Sequence, residues 1–160
     1  MLRRLPLILS LICLFLVTSG CAINRATAQL SPGTDLSKVK SFYIVEELKD
    51  KGTWNVYKLI ETNLKKRGYT VTSGPEIAVI EKPTKDIQSP YKSDVVVTYV
   101  DKWMWDMTNY MLELTITFID ATSNLPMARG NSFHTSLTRK SPEEMVDEVL
   151  TNIFSAKSSP

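Results

Sequence analysis

Histidine and cysteine are nearly missing from this chain, which has one histidine, His134, and two cysteines, Cys13 and Cys21, in 160 residues. No second histidine is spaced to ligate a metal, and no serine sits in a G-x-S-x-G elbow that an imidazole would activate. Neither a metal nor a cofactor is therefore expected. A long hydrophobic span is lacking as well: the run from Leu5 to Val17 is short for a membrane-crossing helix and is broken by Pro6 and Ser10. Nor is there an excess of one charge. Residues 1–20 carry two arginines and no acid, so the 19 Lys+Arg and 17 Asp+Glu of the whole chain become 17 of each beyond them. No nucleic-acid partner is implied.

What is present begins with an address. Arg3 and Arg4, the apolar run and the small residues ending at Gly20 form an export signal over residues 1–20. Its end, Val17-Thr18-Ser19-Gly20-Cys21, resembles the lipobox of bacterial lipoproteins, with Thr18 where leucine is more usual. That resemblance implies cleavage before Cys21, diacylation of its thiol and acylation of the new amino terminus. Ala22, rather than aspartate, implies sorting to the outer membrane, with the protein on the periplasmic face. Cys13 would leave with the signal and Cys21 would be consumed by lipid, so packing alone must hold the fold. The membrane, reached through the acyl chains, is the first expected partner.

Residues 21–38, mostly small or polar and broken by Ser31-Pro32-Gly33, read as the lipidated cysteine and a flexible tether on which the domain hangs clear of the bilayer. Residues 39–155 read as a single α/β domain, and 156–160 as a frayed tail. Val39–Glu46 predicts an interior strand. Residues 54–67 predict a helix capped by Thr53 after a turn at 50–52, with an apolar stripe interrupted only at Asn63. Tyr69–Ser73 predicts a second strand. Gly74–Lys92, with Pro75, Pro83 and Pro90, reads mainly as loop.

The stretch from Ser93 to Asp120 organises the rest: two strands rich in β-branched and aromatic residues, joined at Asp106-Met107-Thr108-Asn109. Setting Asp106 against Asn109 pairs Trp105 with Tyr110, Trp103 with Leu112, Tyr99 with Ile116 and Val97 with Phe118 on one face. Met127–Leu137 reads as an edge strand, and Ser141-Pro142-Glu143-Glu144 as the capping box of a final amphipathic helix. The expected fold is α+β: a two-layer sandwich of one mixed, mostly antiparallel sheet of about five strands with two helices on one face. This element order resembles the small α/β domains of envelope lipoproteins that assist curli secretion or activate peptidoglycan synthases.

No residue stands out as catalytic. Asp101, on the face of Tyr99, Trp103 and Trp105, makes a candidate polar and aromatic site. The opposite face, with Val96, Val100, Met104, Met111 and Ile119, is the candidate interaction surface. Three functions follow from this: a non-catalytic binding or envelope-assembly module with a protein partner of the cell envelope, a small-ligand or lipid binder with a pocket between sheet and helices, and a hydrolase-like enzyme gathering Asp101, His134 and a tyrosine.

Overall fold

Short alternating stretches of this chain find each other in a single sheet. The computed structural model describes residues 24–46, 55–77 and 90–157. Cys21, the turn at 50–52 with its Thr53 cap, residues 78–89 of the expected loop and the last three residues lie outside them. Among the described residues there are six strands, β1 (Asn24–Leu30), β2 (Ser41–Val45), β3 (Thr70–Gly74), β4 (Val95–Asp106), β5 (Thr108–Asp120) and β6 (Pro126–His134). Two helices accompany them, α1 (Val56–Lys66) and α2 (Pro142–Ser155).

The fold is α+β, an open mixed sheet in the order β1-β6-β5-β4-β2-β3. β2 runs parallel to β3 and β4, and every other pair is antiparallel. Phe42 and Ile44 of β2, Val97 and Tyr99 of β4, and Leu114, Ile116 and Phe118 of β5 point to one face. There they meet Ile60 and Leu64 of α1 and Met145, Val149 and Leu150 of α2 in a continuous core.

The helix ends follow from local chemistry. α1 stops where Gly68 takes φ +93°, a left-handed conformation that glycine adopts without a side-chain clash. Asn63, the break in its apolar stripe, donates to Asp147 of α2 at 3.0 Å and accepts from Arg67 at 2.7 Å, so it joins the helices instead of entering the core. Arg67 also binds Asp147 and Thr151 of α2. α2 begins with the expected capping box of Ser141 and Glu144, with Pro142 in its first turn.

The structure departs from the sequence reading in three places. Asn24–Leu30, read as tether, is β1, paired with β6 over seven residues. β6 is consequently an interior strand rather than an edge. The hairpin keeps the expected register only as far as Lys102 opposite Glu113, where a bulge leaves Leu112 unmatched. Beyond it Trp103 faces Met111, Trp105 faces Asn109 and Asp106 faces Thr108, with Met107 alone at the turn.

β6 can lie against α2 because its inward face is made of small residues. A Cβ at Gly130 would stand 2.8 Å from Cγ1 of Val149 and 2.9 Å from Cγ1 of Ile153, too close unless those side chains or the helix that carries them shift. Gly130→Ala is expected to lower stability by about 1–3 kcal/mol through this overpacking, against a smaller entropic gain in the unfolded chain. Urea denaturation measures it, and a neutral result would mean that the Val149 and Ile153 side chains, or α2 with them, shift freely.

Candidate functional site

Two features have side chains arranged beyond the needs of packing. The first is a polar cluster between β6 and α2. The inward face of β6 runs Ala128, Gly130, Ser132, His134, so a hydroxyl and an imidazole reach the helix side together. Both are buried, His134 at 2% exposure. Glu148 of α2 accepts from Ser132 Oγ at 2.6 Å, lies 2.8 Å from His134 Nε2 and accepts from Lys140 Nζ. Burial works to raise the Glu148 carboxyl, but the bonds from His134, Lys140 and Ser132, with the charge of Lys140, hold it down at about 2. Here the carboxylate is the hub and takes the serine proton donor itself. In a nucleophile triad the imidazole stands between hydroxyl and acid, so this order does not activate Ser132. The cluster clamps helix to sheet.

The second feature is the end of the β4–β5 hairpin. β6 runs alongside β5 only to the pair Phe133–Glu113, and β2 pairs with β4 only from Val95 to Val97. Past Lys102 and Glu113 the two strands extend with no third strand beside them among the described residues. Met107 at the turn has φ +58° and is 88% exposed, and Trp105 is 73% exposed. Arg139, from the segment between β6 and α2, braces this tip. Its guanidinium lies 4.3 Å from the Tyr110 ring centroid and binds Thr108 Oγ1 at 2.8 Å and the Asp106 carboxylate at 3.1 Å.

The residues expected on the interaction surface are divided. Val100 and Met104 are exposed on the face away from the helices, as expected. Val96 is on that face but buried; it pairs with Tyr43, whose ring lies 4.9 Å from that of Tyr91, while their hydroxyls donate to the Pro75 and Ile77 carbonyls. Ile119 is half-buried. Met111 is a correction: the bulge turns it to the helix side, where it is 1% exposed. The same outer face also carries a polar ladder, in which Asn131 donates to Glu113 and to Thr115, both at 2.9 Å.

Of the polar and aromatic candidates, Tyr99 is in the core and Trp103 packs at its margin. Trp105 projects at the tip, and Asp101 accepts from the Trp103 indole. Asp101 and Ser132 both stand opposite Leu114, on either side of β5, about 10 Å apart at the usual strand spacing. Asp101 and His134 thus have separate partners and do not converge. Sequence reasoning missed the role of Ser132, His134 and Glu148. The small, alternating Ala128-x-Gly130-x-Ser132-x-His134 was the available signal. Among the described residues, no three His, Cys, Asp or Glu side chains gather as metal ligands.

This geometry defines an open-sheet α+β domain with a protruding hairpin. No protein-family model and no curated protein matches the chain. Solved structures of similar fold exist. The PelC dodecamer from Paraburkholderia phytofirmans matches with a TM-score of 0.58 at 11% identity, over 82% of this chain and 98% of that one. A PDZ domain protein from Parabacteroides distasonis matches with a TM-score of 0.51 at 12% identity, over 85% of this chain and 38% of that one. At these identities the likeness is one of fold.

Proposed function

We propose that this protein is an outer-membrane lipoprotein, anchored through Cys21 on the periplasmic face, that works as a non-catalytic binding or envelope-assembly module. The observation that carries the reading is the Val17-Thr18-Ser19-Gly20-Cys21 motif, with the first strand of a folded domain beginning three residues later at Asn24. The order of the Ser132, Glu148 and His134 bonds supports a structural use of the one histidine. A PelC chain of similar fold occurs as a dodecamer, which makes further copies of this chain the first partner to seek, beside another envelope protein.

The ligand-binding reading has less support. A depression of about 360 Å³, lined by Leu36, Ser37, Arg67, Tyr69 and Phe154, is open to solvent and lies at the carboxyl ends of the helices, not enclosed between sheet and helices. Cys21→Ser is the decisive variant. The wild type should incorporate labelled palmitate and fractionate with the outer membrane, and the variant should lose the label and be released. A variant that matures normally and stays with membranes would end the proposal. Crosslinking in intact cells then identifies the partner.

A further inference from the structure

The described domain begins almost at the expected anchor, which fixes which end of the sheet faces the bilayer. Arg25, Phe133, Glu113 and Lys102 stand opposite one another across β1, β6, β5 and β4 and form one row. From that row the hairpin continues five residues to Met107, about 17 Å at strand rise. β1 starts at that same end of the sheet, and Cys21, four residues before Arg25 in the sequence, can be at most about 14 Å from the row. An anchor at Cys21 could therefore stand no farther beyond that end of the sheet than the hairpin tip does.

That end also gathers exposed apolar side chains. Trp105 and Met107 are at the tip, with Met104 just behind. Leu137, 82% exposed, sits in a short 3-10 turn (Ser136–Thr138) two residues before Arg139, whose bonds to Asp106 and Thr108 hold that segment against the hairpin. Water is a poor environment for such a group, and a tryptophan at the end of a projecting element suits the level of lipid headgroups.

Resting on the acylated Cys21 proposed above, we infer that the hairpin tip is a second membrane contact, which beds Trp105, Met107 and Leu137 in the headgroup region beside the anchor. The acyl chains keep the tip at high local concentration over the lipid, so a small apolar contact suffices to set the tilt of the domain. The domain then stands on the bilayer with the β5–β6 turn, which carries Leu125, pointing away. Because the contact is apolar, it is insensitive to salt.

Acylation leaves no other thiol in the mature chain, so single cysteines can report position. Met107→Cys and Leu125→Cys, each in the full-length lipidated protein and labelled with an environment-sensitive fluorophore, are placed in vesicles of phosphatidylethanolamine and phosphatidylglycerol containing spin-labelled lipid quencher. The expected result is a blue-shifted emission at 107, quenched about twofold or more beyond that at 125, at low and high salt alike. Mass measurement of the mature protein first establishes its acylation. If acylated protein binds vesicles while both probes report water, the tip contact is overturned and the anchor stands. If the protein is not acylated, the anchor proposal and this inference both fail. A shift at 107 that follows protein density and ignores the lipid quencher identifies a second copy as the occupant and overturns the membrane contact.

Discussion

Glu148→Ala is expected to cost about 3 kcal/mol of folding stability at neutral pH, because it strips two buried partners at once. Ser132 and His134 are sealed between β6 and α2, and both have Glu148 as their hydrogen-bond partner. Nδ1 of His134 is already buried without a partner in the structure, so the imidazole has no second bond to fall back on. Glu148→Gln keeps the shape and an acceptor oxygen and should lose less. The effect also has a pH signature. In the folded protein the carboxyl is held at about 2, below its ordinary value of 4.5. Its contribution is thus complete above about pH 4.5 and is lost as pH falls from there towards about 2. That depression corresponds to roughly 3 kcal/mol. Asp94, Asp120, Asp147 and Glu144 are also held below their ordinary values, so the wild type alone cannot isolate Glu148. The gap in stability between wild type and Glu148→Gln can. Urea midpoints at pH 6, 4 and 3 should show it closing; a gap of constant size would show that the carboxylate charge is not what the cluster uses.

Phe118→Ala is expected to be as damaging or more so, at about 3–5 kcal/mol, since a fully buried ring leaves a cavity that neighbouring rings cannot refill. Phe118 sits 5.1 Å from Phe42 and 5.9 Å from Phe154, centroid to centroid. Phe42 in turn meets Tyr69 at 4.9 Å, Tyr69 stacks on Phe154 at 5.4 Å, and Arg67 caps Phe154 at 5.5 Å. The cluster ties β2, β5, the entry to β3 and the end of α2 together. Trp105→Ala, at an exposed site, should change stability by no more than about 0.5 kcal/mol, and calorimetry of the pair tests the contrast. Equal losses would mean that the hairpin tip belongs to the folding unit in a way its exposure does not show.

Much of this architecture can be read from the chain. β5 alternates strongly from Glu113 to Phe118, which fixes the parity of its pairing with β4, and there the expected register is the observed one. The pattern fails at Tyr110-Met111-Leu112, three apolar residues in a row, because either parity buries something and no alternation marks the bulge. β1 was invisible for a different reason. Asn-Arg-Ala-Thr-Ala-Gln-Leu has almost no strand preference of its own, and tertiary pairing with β6 makes it a strand. β6 looked like an edge because its side chains are small; they are small because α2 presses on Gly130. The candidate interaction surface was half legible. Val100 and Met104 lie where alternation put them, whereas buried Val96 pairs with Tyr43, a residue far along the chain whose ring meets Tyr91, and no local pattern reveals that.

The placement of β1 decides how the domain answers a pull. Its first residue, Asn24, lies at the end nearest position 21, and its seven pairs with β6 are rungs perpendicular to the strand. Tension entering from the amino end acts along the strand and shears every rung together, whereas traction from the carboxyl end meets α2, which can unwind turn by turn. A molecule hauled by its amino end would resist detachment far longer than one hauled by its tail, with its lifetime under force set by the rate of rupture and not by equilibrium stability.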